Sequence, residues 1–324
     1  MPEIGRKEFA ILSVLGGYNE PLGATRVARD LKDRGIDLTE RAVRYHLQAM
    51  DVRGLTESMG RSGRRLTEEG KRELGNARVA DKVALTLARI DALSYQTSFD
   101  VATGKGKVIL NVSLLRQSEF DHAVRVMRPL FSSRFATSDL VAVFGPGQRL
   151  GDETVPRGMV GLGTICSVTI NGVLLSHGIP VHSEFGGLIE VAGHEPVRFT
   201  DIVRYSGTSV DPVEVFIKAR ATSAAQVMAA GQGKLGAGLR TCPALAREHT
   251  LQLIDEMSAW RIRGVIAAAG ENQSVLEVAV DVGRAAFVVA AGLNPMAVAE
   301  EAGIETTNQA MAVMFEYEDL EPLP

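Results

Sequence analysis

Apolar residues recur at every third or fourth position near the start of the chain, which is the spacing of a helix that buries one face. This spacing predicts helices over residues 3–16 and 24–34, and a third over residues 40–50. Thr39 is a suitable N-cap for the third helix, because its hydroxyl can accept a hydrogen bond from the first turn. Val43, Leu47 and Met50 form the apolar side of that helix, so its other side faces solvent.

A short hairpin is predicted directly after the third helix. Residues 55–58 and 66–67 flank a basic turn at residues 60–65 with the sequence Gly-Arg-Ser-Gly-Arg-Arg. Three helices followed by a hairpin resemble a winged helix-turn-helix, in which the third helix enters the major groove of DNA. Contacts to bases and phosphates are expected from this helix and the wing. The candidate DNA-binding residues are Thr39, Arg41, Arg44, Tyr45, Gln48, Arg61, Arg64 and Arg65.

Two other interpretations of this module stay open. It could dock another protein, or its arginines could only solvate the surface. Binding of RNA is a weaker interpretation, because no platform of aromatic side chains for base stacking is visible. Arginine in both the third helix and the wing favours duplex DNA.

Residues 76–93 have the pattern of one amphipathic helix, with Val79, Val83, Leu87 and Ile90 on its apolar side. This helix could pair with its copy in a second subunit or pack on its own domain. Residues 98–106 are turn-rich. The predicted organisation is a winged-helix domain over residues 1–75, a linker helix over 76–97 and a regulatory domain over 98–324.

Strands and helices are mixed along the larger domain without strict β-α-β alternation, which predicts an α+β fold with a mixed sheet. Residues 201–205 could form either element. Residues 231–242 are predicted as a glycine-rich loop, and apolar β-type runs are predicted at 164–175 and 188–191. Further strands are predicted at 107–115, 140–144, 213–217, 265–269, 275–282, 285–291 and 310–317, and helices at 117–131, 244–260 and 295–302.

Length and composition narrow the class of protein. A chain of 324 residues is sufficient for two domains. Its apolar runs are too short to span a bilayer, and its first residues lack the pattern of a signal peptide. The two cysteines imply no disulfide framework, so a cytoplasmic location is expected. No cysteine and histidine residues have the spacing of a zinc site, and no cofactor is expected.

The net charge of −4 conceals a difference between the two ends of the chain. Residues 1–75 carry 14 basic and 12 acidic residues, a balance of +2, and residues 76–324 carry 21 and 27, a balance of −6. A slightly basic head on an acidic body is compatible with a head that meets a polyanion.

Seven glycines fall between Gly158 and Gly187, among small polar side chains. Glycine-rich turns bring bare backbone N–H groups close to a ligand, and such groups bind anions. The simpler interpretation is a glycine-rich hairpin that serves only packing.

Three long segments carry a resemblance to a known family. They read GLGTICSVTINGVLLSHGIPVHSEFGGLIEV from Gly161, FTDIVRYSGTSVDPVEVFIKA from Phe199 and GKLGAGLRTCP from Gly233. Together with the winged helix, they resemble the NrpR family of nitrogen-regulatory repressors. The resemblance implies repression of nitrogen-assimilation genes through operator DNA, and release of the DNA when the regulatory domain binds 2-oxoglutarate. Some members carry two regulatory domains in tandem; since one is present here, a homodimer is expected to supply the second.

A 2-oxo dicarboxylate needs two anion sites and a donor for its keto oxygen, and arginine binds a carboxylate in a bidentate manner. The simpler interpretation of each Arg or Lys is a surface ion pair, and of each cysteine a small buried apolar residue. The candidate effector-binding residues are Arg157, Gly161, Gly163, Thr164, Cys166, Ser167, His182, Gly186, Gly187, Lys234, Gly236, Arg240 and Cys242.

Three alternative functions stay open. The first is a transcription regulator that senses another small carboxylate, and the second is an enzyme that acts on such a molecule. The third is a regulator that docks proteins and binds no ligand. The chain lacks a phosphate loop, a dinucleotide fingerprint and a set of metal ligands. Its histidines are not accompanied by a nucleophile, so a non-enzymatic protein is expected.

Overall fold

The computed structural model describes residues 5–18, 20–76, 85–150 and 153–324. The chain divides into two compact units, Met1–Ala92 and Leu93–Pro324. The division falls inside a helix, Leu85–Gln96, which belongs to the region predicted as the linker. No helix among the described residues is both long and apolar enough to cross a membrane.

The first unit is a three-helix core with a small hairpin, as the sequence predicts. Its core includes Ile11, Leu31 and Leu47, which are all fully buried. The Thr39 hydroxyl accepts a hydrogen bond from the Ala42 N–H over 3.3 Å, which confirms the predicted cap. The elements are α1 (Arg6–Gly16), α2 (Ala24–Asp33), α3 (Glu40–Val52), β1 (Thr56–Ser58), β2 (Arg64–Leu66) and α4 (Glu68–Asn76).

A glycine in the turn of the hairpin allows the wing to approach the segment before α2. Arg64 and Leu22 exchange two backbone hydrogen bonds of 2.8 and 2.9 Å. Gly63, next to Arg64, has φ of +109°, and a Cβ there would lie 2.2 Å from the Leu22 carbonyl oxygen. Only glycine suits both the conformation and the space.

The helix predicted over residues 76–93 is only partly described. The described part is α5 (Leu85–Gln96), in which Ile90 is buried and Leu87 is partly exposed. Val79 and Val83, the other members of the predicted apolar side, lie outside the described residues.

The second unit contains two five-stranded antiparallel sheets covered by helices, which confirms the α+β class. The strand orders are β15-β3-β7-β4-β16 and β11-β14-β10-β8-β9. The principal strands are β3 (Lys107–Arg116), β4 (Leu140–Phe144), β7 (Met159–Ile165), β8 (His182–Ala192), β9 (Glu195–Arg204), β10 (Gly233–Pro243), β11 (Val265–Ala269), β14 (Arg284–Ala290), β15 (Thr306–Glu316) and β16 (Glu321–Pro322). There are also two short two-stranded hairpins, which are separate from these sheets: β5 (Arg149–Leu150) pairs with β6 (Glu153–Thr154), and β12 (Ser274–Val275) pairs with β13 (Val278–Ala279). The helices are α6 (Phe120–Phe131), α7 (Val168–Ser176), α8 (Pro212–Lys218), α9 (Ala224–Ala230), α10 (Arg247–Ala259) and α11 (Asn294–Glu301).

The second unit is an internal duplication. The order strand, 3₁₀ turn, helix, strand, hairpin, strand, helix, strand runs from β3 to β8 and again from β10 to β15. In each half the central strands pair in the same way, with Leu110 opposite Ile165 and Ala237 opposite Ala290. The last strand of each half joins the sheet of the other half, since β8 pairs with β10 and β15 with β3. The two halves therefore exchange their last strands and are related by pseudo-twofold symmetry.

Several predictions for the second unit are wrong. Residues 164–175 end strand β7 and then form helix α7, and residues 213–217 lie in helix α8. The predicted loop at 231–242 is mostly the central strand β10, and residues 275–282 contain only the short hairpin β12–β13. Strand β10 and helix α7 are almost wholly buried, so their sequences carry no periodic pattern that distinguishes a strand from a helix.

Candidate functional site

The outward side of α3 carries the side chains predicted to meet DNA. Arg41, Arg44, Tyr45 and Gln48 are all exposed, and Tyr45 keeps 70% of its surface accessible. Arg44 pairs with Glu40 one turn earlier, which holds its guanidinium along the helix. These side chains can reach base edges in a major groove, because nothing in the described part of the first unit covers them.

The three wing arginines have different environments. Arg61 is exposed at the tip, and no ion pair of it is found among the described residues. Arg65 is exposed and pairs with Glu57 across the hairpin over 2.7 Å. Arg64 follows the turn directly, but its side chain is directed inward, which corrects its predicted place: its Nε donates to Asp51 over 2.7 Å and its side chain is only 19% exposed. Arg64 thus holds the wing to α3.

A narrow cleft lies where the two halves of the second unit meet, and its volume is about 330 Å³ including the open mouth. We call it the central cleft. Its wall is formed by the two strand-to-helix junctions β7–α7 and β14–α11, by the middle of β3 and β10, by the bulge of β15 and by the segment between β9 and α8. The lining residues are Asn111, Cys166, Ser167, Tyr205, Asp211, Val213, Ala237, Gly238, Ala291, Gly292, Leu293 and Ala310.

Arg240 lies beneath the cleft as a buried cation. It is 1% exposed, its Nε donates to Asn171 Oδ1 over 2.6 Å and its Nη2 donates to Ser167 Oγ over 2.9 Å. Its Nη1 has no hydrogen-bond partner among the residues that the structure describes. A Cβ added to Gly238, in the cleft wall, would lie 3.2 Å from this Nη1 and 3.5 Å from the Tyr205 hydroxyl oxygen. The free edge of the guanidinium therefore lies beside Gly238 and Tyr205, which both line the cleft.

This arrangement is energetically unusual for a protein without a ligand. Burial is the main influence on Arg240 and lowers the pKa of its guanidinium, and no ion pair of Arg240 is found in the described part of the chain. A buried charge is costly unless an opposite charge and hydrogen bonds compensate it. An anion in the cleft would supply both.

Two helix N-termini face the central cleft from equivalent positions in the two halves. The helices are α7, which follows Ser167, and α11, which follows Leu293. Among the described residues, the N–H groups of Ser167, Gly292 and Leu293 donate no hydrogen bond to the protein. The first N–H groups of a helix and its dipole favour an anion, so both junctions add positive potential to that of Arg240.

The strand and the helix of each half are held together in the same way. In the first half, the Thr169 hydroxyl accepts from the Ile109 N–H over 3.0 Å. In the second half, Asn294 Oδ1 accepts from the Gly236 N–H over 2.9 Å, and its Nδ2 donates to the Gly236 carbonyl over 2.9 Å. These contacts fix the direction of α7 and α11 relative to the cleft.

The acidic groups of the cleft are shifted towards their neutral forms. Burial raises the pKa of the Cys166 thiol to about 11 and also raises that of the Tyr205 hydroxyl. Asp211 keeps some exposed surface, yet burial raises the pKa of its carboxyl. Two hydrogen bonds that the carboxylate accepts, from the backbone N–H groups of Val213 and Glu214, act in the opposite direction. The charges of Asp211 and Arg240 also influence each other, and the attraction opposes the effect of burial on both pKa values.

Part of the predicted effector set lies at this cleft. Cys166 and Ser167 line it, Arg240 points into it, and Gly236 lies behind its wall, where a Cβ would be 2.8 Å from Asn294 Oδ1. Thr164 is close by, but its hydroxyl is already bonded to the Gly292 carbonyl over 2.9 Å.

The other predicted residues lie elsewhere or serve packing, which corrects their expected place. Arg157 is exposed at the start of β7, whose far end leads to Cys166, roughly 30 Å away along an extended chain. Lys234 pairs with Asp201 over 3.1 Å. The remaining members pack within sheets, face solvent or lie by a separate small cavity; they are Gly161, Gly163, His182, Gly186, Gly187 and Cys242.

Several residues of the site are missed by the sequence reasoning. Asn111 and Asn171 are polar residues inside apolar runs, and a buried polar residue of this kind is itself a signal. Asp211 followed by Pro212 is the pattern of an N-cap and first helical residue, and it identifies α8 as a helix. Tyr205 offers no such signal.

The chain matches two family models. Residues 83–322 match the model described as the NrpR regulatory domains NRD1 and 2. Residues 9–74 match the model of the ribonuclease R winged-helix domain.

Three curated proteins are similar over most of the chain. The global nitrogen regulator NrpRI of Methanosarcina mazei is 32% identical over 322 residues, which is 99% of both chains. The global nitrogen regulators NrpR of Methanococcus maripaludis and Methanocaldococcus jannaschii are 28% and 29% identical over 91% and 92% of this chain. The aligned region is 51% of each of those two longer proteins.

A solved structure shares the fold of the chain. It is the crystal structure of a nitrogen repressor-like protein from Methanococcus jannaschii, with a TM-score of 0.63 and 22% identity. The match covers 74% of this chain and 98% of that one.

Proposed function

This chain belongs to the NrpR family of nitrogen regulators, and on that premise we propose that it is a DNA-binding repressor of nitrogen-assimilation genes that 2-oxoglutarate releases from its operator. The family membership and the winged helix support repression through DNA. An anionic effector is supported by one observation above all, the buried Nη1 of Arg240, which has no hydrogen-bond partner among the described residues.

The charges of the central cleft suit a small dianion better than a nucleotide. One buried guanidinium and two helix N-termini converge on a narrow space, and the N–H groups of Ser167, Gly292 and Leu293 are available as donors. A 2-oxo dicarboxylate presents a negative charge at each end and an acceptor between them. The Tyr205 hydroxyl, beside Arg240 Nη1, is a suitable donor for the keto oxygen.

Release of DNA requires that the effector favours one conformation over the other. An effector shifts the equilibrium only by its differential affinity for the two states, and the coupling is reciprocal. Operator DNA should therefore weaken 2-oxoglutarate binding by the same factor, roughly 5- to 150-fold, by which 2-oxoglutarate weakens DNA binding.

Titration calorimetry measures both sides of this coupling. The free protein is titrated with 2-oxoglutarate, and so is its complex with a promoter fragment of a glutamine synthetase gene from the same genome. We expect binding in both cases and weaker binding in the complex. Absence of heat with 2-oxoglutarate, oxaloacetate, glutamate and glutamine would remove the sensor from the proposal, and equal affinities would remove the switch.

A regulator of another small carboxylate is the second candidate, because the cleft offers no group that only 2-oxoglutarate could use. The same titrations rank the four metabolites and decide between these two. An enzyme is the less favoured candidate, since the curated relatives are named regulators. Incubation with each ligand followed by NMR of the mixture would show conversion if the cleft were catalytic.

A further inference from the structure

The internal duplication gives the central cleft two anion-binding ends, one from each half. The first end is the start of α7, where the Ser167 N–H is available and Arg240 Nη2 donates to the Ser167 hydroxyl over 2.9 Å. The second end is the start of α11, where the N–H groups of Gly292 and Leu293 are available. The segments that carry the two ends are in contact, since Thr164 Oγ1 donates to the Gly292 carbonyl over 2.9 Å and a Cβ on Gly292 would lie 2.4 Å from the Ile165 carbonyl oxygen.

A neutral donor at the second end takes the place that Arg240 has at the first. Asn111 Oδ1 accepts from the Met311 N–H over 3.1 Å, which turns the Nδ2 amide to the other side. That Nδ2 makes only a long contact of 3.5 Å with Thr164 Oγ1, and it lies 2.5 Å from where a Cβ on Gly292 would be. The Asn111 amide is thus a donor beside the free N–H groups of the α11 junction.

The duplication does not reproduce the cation. By the pairing of the strands, the position in the first half that corresponds to Arg240 is Ser113, which is fully buried and whose hydroxyl has no hydrogen-bond partner in the described part of the chain. The site is therefore polar at both ends but strongly positive at one. This asymmetry sets a direction for any ligand with two unequal ends.

We propose that the effector binds as a bridge between the two duplicated halves, with one carboxylate at the α7 junction beside Arg240 and the other at the α11 junction beside Asn111. This inference rests on the proposed function and adds to it the ligand class and the binding mode. The ligand class is a short linear dicarboxylate, because the segments that carry the two ends are in contact. Since each carboxylate holds one half, the bound ligand ties the two halves together.

Ligand analogues test the bridge on the unmodified protein. Calorimetry compares 2-oxoglutarate with glutarate, which lacks the keto group, with 2-oxopentanoate, which lacks one carboxylate, and with the longer 2-oxoadipate. We expect glutarate to bind within about tenfold of 2-oxoglutarate, and 2-oxopentanoate at least about 100-fold more weakly, because several charge-assisted hydrogen bonds are lost. The longer acid should also bind more weakly. Equal affinity for 2-oxopentanoate would overturn the bridge.

Two variants test the ends separately. Arg240→Met should lower 2-oxoglutarate affinity by about 100-fold or more, while the control Arg157→Met, on the exposed turn before β7, should leave it unchanged. Asn111→Asp keeps the acceptor for the Met311 N–H but repels a carboxylate. It should therefore reverse the preference of the protein, from 2-oxoglutarate to the amide 2-oxoglutaramate. Thermal melting and circular dichroism establish that each variant is folded.

The outcomes separate the bridge from the wider proposal. If 2-oxoglutarate binds and releases DNA while folded Arg240→Met binds it normally, or Asn111→Asp still prefers 2-oxoglutarate, the bridge is wrong and the sensor stands. If the unmodified protein binds no dicarboxylate, the sensor and the bridge both fall. Reversed selectivity in Asn111→Asp supports the bridge directly, because a misfolded variant cannot gain a preference.

Discussion

Arg240 and Asn171 join the two duplicated halves: Arg240 Nε, on β10, donates to Asn171 Oδ1, on α7, over 2.6 Å, and both residues are buried. Asn171 Nδ2 donates in turn to Ser183 Oγ over 3.0 Å. The carboxamide is thereby fixed with its oxygen towards Arg240. The guanidinium has a single orientation as a result, with Nη1 turned to the cleft.

This contact predicts the behaviour of Asn171→Asp. The aspartate would form an ion pair with Arg240 and neutralise the charge that the ligand requires, so affinity for 2-oxoglutarate should fall by about tenfold or more. Stability should not fall, because the buried cation gains a partner. Calorimetry and urea unfolding measure the two effects, with Asn272→Asp, on an exposed turn, as the control. Unchanged affinity in a folded Asn171→Asp variant would show that Arg240 does not hold the ligand.

Alanine substitution should have different effects at Arg44, Arg61 and Arg64 of the DNA-binding unit. Arg44→Ala should weaken binding and blur the choice of operator, because Arg44 lies on the groove-facing side of α3. Arg61→Ala should weaken binding to all sequences. It should also reduce the slope of log affinity against log salt concentration by about one, the value for one phosphate contact. Fluorescence anisotropy over a range of salt concentrations measures both. If the operator and a scrambled duplex lose affinity equally in Arg44→Ala, that residue does not read bases.

Arg64→Ala should act mainly through stability. Its ion pair with Asp51 is partly buried and joins the wing to α3, so its loss should lower the melting temperature of the first unit. The salt dependence of DNA binding should stay near that of the unmodified protein once the variant is folded. A drop in the salt dependence equal to that of Arg61→Ala, at an unchanged melting temperature, would place Arg64 on the DNA after all.

Asn294→Ala should destabilise the second unit by about 3 kcal/mol, because it removes the partner of the buried Gly236 N–H and that of the Phe135 carbonyl, while the Gly236 carbonyl keeps the Ala291 N–H. Thr169→Val, at the corresponding position of the other half, should cost less, since it removes contacts to Ile109 alone. Trp260 is the only tryptophan in the chain, so its fluorescence during urea unfolding reports on this unit. A larger loss for Thr169→Val would contradict the prediction.

Both cysteines should resist alkylation in the folded protein. Because burial raises the pKa of Cys166 to about 11, only about one thiol in a thousand is ionised at pH 8, and the thiolate is the reactive form. The rate should rise with pH towards that value, and 2-oxoglutarate should slow labelling of Cys166, which lines the cleft, but not of Cys242. Mass spectrometry after iodoacetamide treatment measures each site. Fast labelling of Cys166 at pH 7 would be incompatible with a buried thiol of raised pKa.

The protein should act as a homodimer that reads a palindrome with half-sites about 10 base pairs or a multiple apart, as symmetric helix-turn-helix dimers do. One winged helix alone has a limited contact area for specific binding. Light scattering at micromolar concentration, with and without operator DNA, measures the oligomeric state. A monomer under both conditions would refute this prediction.

The first unit could be predicted almost completely from the sequence. Its helices each bury one side and expose the other, so the positions of Val43, Leu47 and Met50 define α3 directly. Thr39 marks the start of α3, and the exposed side then follows from the periodicity alone. Only the inward turn of Arg64 was missed, because the sequence does not show that Asp51 lies within its reach.

The second unit resisted prediction wherever an element is buried on all sides. Strand β10 and helix α7 are almost wholly buried, so neither alternates between apolar and polar residues, and glycines in β10 suggested a loop. Those glycines serve close packing: a Cβ on Gly236 would meet Asn294 and Val213 at 2.8 and 2.9 Å. The duplication was missed because its halves share elements and pairing but little sequence.

The sequence by itself determined the DNA-binding head, the α+β class of the larger domain and the presence of candidate ligand residues such as Cys166, Ser167 and Arg240. The tertiary structure decided which candidates form one site, because that depends on contacts between residues far apart in the chain. Asn171 and Arg240 are in contact because the last strand of each half pairs within the sheet of the other half. Arg157, by contrast, lies on the turn before β7, at the opposite end of that strand from the site. Spacing along a chain fixes local structure, but the partners of a buried charge are set by the fold.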